Sequence, residues 1–130
     1  MEAFNCACSS GDLESAQELA EFLSLTPKDA RSGSNYALRE ACFNGHLEIA
    51  QWLADRFSLT AEDARSLNHF AFMYACTRGH LATAQWLADR FQISAMEVSR
   101  FGGHLLRYTR EHSMGEIESW LVERFKLATV

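Results

Sequence analysis

Apolar residues recur along this chain at helical spacings that alternate between two patterns. Over residues 36–44, Ala37, Leu38, Ala41 and Cys42 form an i, i+1, i+4, i+5 stripe, which predicts a short helix from Tyr36 to Asn44. Asn44-Gly45 closes it, since glycine takes the left-handed conformation that ends a helix. The same stop stands at Ser10-Gly11 and Arg78-Gly79. A second helix is predicted from Leu47 to Phe57, with Leu47, Ala50, Leu53, Ala54 and Phe57 on one face. Neither helix buries its stripe alone, so the pattern requires stacked neighbours. After each second helix comes Leu25-Thr26-Pro27-Lys28-Asp29, Leu59-Thr60-Ala61-Glu62-Asp63 or Ile93-Ser94-Ala95-Met96-Glu97. A hydroxyl residue followed three positions later by an acid is a helix-starting capping box, and Pro27 sits where a first-turn proline costs least. Each connector is therefore expected to hold a short helix of about one to two turns.

The alternation is a true repeat. ACSSGDLESAQELAEFLSLT (7–26), ACFNGHLEIAQWLADRFSLT (41–60) and ACTRGHLATAQWLADRFQIS (75–94) follow one another at a step of 34 residues, and the last two agree at 13 of 20 positions. A degraded fourth copy, WLVERFKLAT (120–129), keeps Trp120, Leu121, Arg124, Phe125 and Leu127 in the same register. The expectation is one all-α domain over 1–130, a helical solenoid of four repeats at about 2–33, 34–67, 68–101 and 102–130.

These residues resemble an ankyrin repeat. Gly45 to Leu53 reads G-H-L-E-I-A-x-x-L behind Ala41-Cys42, similar to the A-A-x-x-G-H-L-E-I-V-x-x-L-L core of that family. The family's T-P-L-H position holds Tyr36-Ala37-Leu38-Arg39 and Phe70-Ala71-Phe72-Met73, and its G-A-D-V-N finger is replaced by F-S-L-T-A-E-D-A-R. The departure predicts a short helix in place of the β-hairpin finger. The style is similar to divergent arrays of large DNA viruses and protists. The resemblance covers about 120 of the 130 residues, and it implies a module that binds another protein in a concave groove.

Charge and composition narrow the reading. A net charge of −5 without a Lys/Arg cluster disfavours nucleic acid and anionic membranes as partners, and no apolar run approaches the ~20 residues of a spanning helix. Cys8, Cys42 and Cys76 share one repeat position, which makes them small buried apolar residues. Free thiols, and with them a reducing cytoplasmic or nuclear location, are expected. Cys6-Ala-Cys8 lacks the two-residue spacer of zinc and redox motifs. His46 and His80 lie one repeat apart, about 10 Å for packed helices, too far to share an ion; bonding to loop backbone is the simpler role. Gly102-Gly103 has no phosphate-loop context and reads as a flexible lead into the last repeat. No cofactor, metal site or catalytic set is expected, so the chain is not read as an enzyme.

The positions that break the repeat carry the remaining information. Glu18 stands where three repeats have Trp52, Trp86 and Trp120, and Thr109-Arg110 stand where three have Ala-Cys. Both are expected to be polar caps of a finished array, with drift in the outer copies as the alternative. The tryptophans are expected in inter-repeat packing, and the pairs Asp55-Arg56, Asp89-Arg90 and Glu123-Arg124 on a solvated outer face. Residues before each glycine and at the connector tips vary on an otherwise constant frame. By the resemblance they line the groove, which gives a candidate partner-binding set of Glu40, Phe43, Asn44, Leu67, His69, Tyr74, Thr77, Arg78, Phe101 and Tyr108. Unconstrained drift is the competing account. Phe43, Leu67, Tyr74, Phe101 and Tyr108 would be exposed apolar anchors with Arg78 and Arg107 nearby, a usual interface composition. The second functional reading is self-association through an array end, with Trp120, Leu121 and Phe125 as the residues to suspect.

Overall fold

The structure, a computed structural model, describes residues 1–127. Among them are eleven helices and no strand: α1 (Glu2–Ser10), α2 (Leu13–Phe22), α3 (Pro27–Ala30), α4 (Ser32–Phe43), α5 (Leu47–Arg56), α6 (Ala61–Ala64), α7 (Ser66–Thr77), α8 (Leu81–Arg90), α9 (Ala95–Ser99), α10 (Gly102–Glu111) and α11 (Gly115–Phe125). Four antiparallel pairs, α1/α2, α4/α5, α7/α8 and α10/α11, are joined by α3, α6 and α9. Each second helix packs on its own first helix, and the first helices pack side by side in the order α1, α4, α7, α10.

One continuous core runs through the pairs. Phe4, Leu38, Phe72 and Leu106 occupy equivalent positions of the four first helices and are all nearly solvent-free. Trp52, Trp86 and Trp120 are half-buried against this core, as inter-repeat packing requires. Trp52 lies 6.1 Å from the ring of Phe4, and Trp120 6.1 Å from Phe72, in each case reaching into an earlier repeat.

The connector helices form as the capping pattern predicts. Thr26 accepts from the Asp29 N–H while the Asp29 carboxylate accepts from the Thr26 N–H at 2.9 Å, and Thr60 with Asp63 repeats the arrangement. The third box is incomplete. Ser94 accepts from the Glu97 N–H, but the Glu97 carboxylate is turned away to Arg65 and His69.

That diversion belongs to a ladder between connectors. Arg31 grips both oxygens of Asp63 at 2.9 and 3.0 Å, and Asn35 donates to the same carboxylate at 3.1 Å. One repeat later Arg65 and His69 hold Glu97 in the same register. To reach these acids the chain takes an unexpected path. Gly33, Ser34 and Asn35, and again Leu67, Asn68 and His69, have φ between 53° and 64°, a single left-handed turn ahead of the right-handed helix that starts at Tyr36 or Phe70.

Two expectations need correction. Gly102-Gly103 is not a flexible lead: both residues open α10, and Gly102 is buried under the Leu127 side chain. Thr109 is not a solvent-facing cap either. It is fully buried, and its hydroxyl donates to the Leu106 carbonyl at 2.8 Å, so only Arg110 of that pair is exposed.

Candidate functional site

The exposed flank of the first helices carries the side chains that differ from repeat to repeat. On α4 it presents Tyr36, Arg39, Glu40 and Phe43; on α7, Phe70, Met73, Tyr74, Thr77 and Arg78. The helical period puts Phe70, Tyr74 and Arg78 in line along α7. Phe43 reaches them from α4, because that pair of helices packs side by side.

The result is one aromatic cluster that crosses the joint between repeats 2 and 3. The rings of Phe70 and Tyr74 are 4.4 Å apart, and Phe43 lies 5.2 Å from Tyr74 and 6.3 Å from Phe70. A guanidinium covers each end. Arg39 sits 4.9 Å over Phe70, and Arg78 sits 4.4 Å over Phe43. Aromatic faces attract cations, which favours both arginines at these positions over the rings. Their free capacity differs. Arg39 donates to the Gly33 and Ser34 carbonyls at 2.9 Å and so staples the left-handed turn, whereas Arg78 is exposed and has no hydrogen-bond or ion-pair partner among the described residues.

The ten candidate residues divide into three groups and a lone Tyr108. Phe43, Tyr74 and Arg78 belong to the cluster, with Thr77 half-buried beside them on α7. Glu40 and Asn44 lie on the same flank but are already engaged: Glu40 accepts from the Ser9 hydroxyl at 3.4 Å, and Asn44 donates to Ser9 Oγ at 3.3 Å. Leu67, His69 and Phe101 gather at the connector end. There Leu67 is 55% exposed, while the His69 ring lies tilted 5.5 Å from Phe101 and pairs with Glu97 at 3.4 Å. Burial holds the His69 imidazole below its usual pKa, with the Glu97 carboxylate opposing and Arg65 and Arg100 reinforcing the shift. Tyr108 stacks on His112 of its own helix, ring centroids 3.9 Å apart.

The expected exposure of the five apolar anchors holds only for Leu67 and Tyr74. Phe43, Phe101 and Tyr108 are half-buried, Phe101 because it also packs 6.2 Å from the core ring of Phe72. The sequence reading left Tyr36, Arg39 and Phe70 out of the site. Phe70 falls at the family's T-P-L-H position, yet its i, i+4 spacing from Tyr74 is a usable signal.

Other candidate chemistry resolves into structure. His46 Nε2 donates to the Ser9 carbonyl at 3.0 Å and His80 Nε2 to the Phe43 carbonyl at 3.1 Å, so each histidine ties its loop to the preceding repeat. Cys8, Cys42 and Cys76 are buried free thiols; burial pushes Cys8 and Cys42 up to about 12 and raises Cys76 as well. Cys6 is exposed in a cleft of about 430 Å³ between α1 and α4, beside Asn5, Ser9 and Tyr36. At the array ends, Leu121 and Phe125 are buried and Trp120 is half-buried, so they offer little surface, whereas Phe22 on α2 is 85% exposed. No described helix is long and apolar enough to cross a membrane.

Stacked helix pairs at a fixed residue step, joined by similar helical connectors, define an all-α repeat solenoid. The chain belongs to the ankyrin repeat family: the family's model, ankyrin repeats in three copies, matches residues 4–99. The pair α10/α11 lies beyond that match and continues the same packing. No curated protein and no solved structure matches the chain. Ankyrin repeats are in general protein–protein interaction modules.

Proposed function

We propose that this chain is a non-catalytic module that binds a partner protein across the exposed flank of its first helices. The observation behind the reading is the Phe43–Phe70–Tyr74 cluster with Arg78 stacked on it: variable side chains gathered on an otherwise repeated frame. Aromatics and arginine concentrate binding energy because they bury large area and offer directed donors. A helix or an extended peptide fits such a flank. The four unpaired thiols suit a reducing compartment, cytoplasm or nucleus. The test is affinity capture from the native host, followed by titration of the captured partner. Tyr74→Ala and Arg78→Ala should each weaken binding about tenfold or more. Unchanged affinity in both variants, with the helical circular-dichroism signal intact, removes the site from this face.

Self-association is a second reading, favoured by one residue. Phe22 occupies the position held by Arg56, Arg90 and Arg124 in the other repeats, and it is 85% exposed with Leu23 beside it at 42%. An apolar patch of this kind on an array end can be covered by a second copy. Light scattering over a concentration series decides the matter: a mass that grows in the natural protein and stays monomeric in Phe22→Glu supports it, and a persistent monomer in both ends it.

A further inference from the structure

The ten arginines of this chain differ in what they are bonded to; Arg56 lies 5.1 Å over the ring of its neighbour Phe57, and Arg100 is a charge close to Glu97 and His69. Arg31, Arg65, Arg90, Arg110 and Arg124 each pair with a carboxylate, at Asp63, Glu97, Asp55, Glu118 and Asp89, and Arg39 is bonded to two carbonyls. Arg78 and Arg107, both on the exposed side of the first helices in repeats 3 and 4, have no hydrogen-bond or ion-pair partner among the described residues. Arg78 is nevertheless not loose. Its guanidinium lies 4.4 Å over the Phe43 ring, and the residue as a whole is exposed to solvent. A guanidinium is a planar fork of N–H donors matched to a carboxylate, and a ring contact that holds it in place beforehand reduces the ordering cost on binding.

Charge along the array adds a direction. Residues 1–67 carry five Lys or Arg against eleven Asp or Glu, whereas residues 68–130 carry seven against six. A negatively charged ligand is therefore repelled from the first two repeats and accepted at the last two. The apolar shelf of Phe43, Phe70 and Tyr74 straddles the boundary between the two halves, with Arg78 reaching over its Phe43 ring.

Resting on the reading of this face as the binding face, we propose that its partner presents an acidic segment with an apolar anchor. The anchor packs on the Phe43–Phe70–Tyr74 shelf. A carboxylate takes the Arg78 fork, and the acidic end of the segment runs on toward Arg107.

Selection of a random 16-residue displayed peptide library on the immobilised full chain tests this without a known partner. The selected pool should be about twofold richer in Asp and Glu than the starting library and should carry an aromatic or aliphatic residue in most members. For the best peptide, fluorescence anisotropy should show Kd rising about fivefold or more between 50 and 500 mM NaCl. Arg78→Gln should weaken it about fivefold, and adding Arg107→Gln about twofold further. A pool without acidic enrichment, or an affinity indifferent to salt and to both substitutions, overturns the inference. If such a neutral pool still loses binding in Tyr74→Ala, the face stands and only the acidic partner falls. If the selected peptides bind Tyr74→Ala and Phe43→Ala as they bind the natural protein, the face itself is wrong.

Discussion

At the scale of single residues, Asp63 ties three segments of the chain together. It caps α6 through the Thr60 N–H at 2.7 Å and receives Arg31 and Asn35 from the previous connector. Burial alone would raise its pKa, but these hydrogen bonds and the nearby Arg31 charge outweigh that effect and hold it below the ordinary carboxylate value. A depressed folded pKa contributes stability that is present above the unfolded pKa, about 3.9, and is lost as pH falls through the folded value. Asp63→Asn should therefore cost about 2 kcal/mol at neutral pH by urea denaturation, and the gap between variant and natural protein should narrow below about pH 4. The cap itself was legible in the sequence, because Thr60 and Asp63 are three residues apart. The bond to Arg31 was not, since it spans the repeat. Asp55-Arg56 and Asp89-Arg90 are pairs in the sequence, but adjacent helix residues point apart. Arg90 instead reaches Asp55 at 3.7 Å and Arg124 reaches Asp89 at 3.6 Å, from one repeat to the one before.

At the scale of elements, the helix-ending glycines are joints with two requirements. Gly45 has φ +73°, and a Cβ there would meet the His80 ring at 2.4 Å; Gly79 has φ +84° but faces only Met114 at 3.5 Å. Gly79→Ala should cost about 1 kcal/mol for the left-handed backbone alone. Gly45→Ala should cost about 2–3 kcal/mol, because it also displaces the ring that donates to the Phe43 carbonyl. In a His80→Ala background the cost of Gly45→Ala should fall back to about 1 kcal/mol, a coupling that a double-mutant thermal series reads directly. Helix starts and stops were legible because they depend on local side chains. The left-handed turns were not. Gly33, and to a smaller degree Asn35, Asn68 and His69, tolerate that conformation, but Ser34 and Leu67 do not favour it; in the second turn the His69–Glu97 pair and the Phe101 ring help to hold it. The same limit applies to the binding face. Variable positions were readable from the 34-residue register, but which of them stack on one another depends on how α4 meets α7.

At the scale of the whole molecule, stability and recognition are shared across joints. Phe72 is fully buried, and its ring is surrounded by Phe101, Trp120 and Phe125. The family model matches only to residue 99, yet α10 and α11 complete the core around Phe72. A chain cut after Phe101 should therefore lower the melting temperature by several degrees or aggregate, as scanning calorimetry with light scattering would show. Four repeats and an all-α frame were legible from periodicity.

The ladder of joints has a further consequence. Each middle unit carries one half of a joint toward the unit before it and the matching half toward the unit after: His80 reaches back to Phe43 as His46 reaches back to Ser9, and Arg65 reaches forward to Glu97 as Arg31 reaches forward to Asp63. Residues 34–67 are thus a self-compatible cassette, with both connecting ends of the same gauge. Recombination between copies within the gene can add such a cassette in frame and still produce a chain whose joints all close.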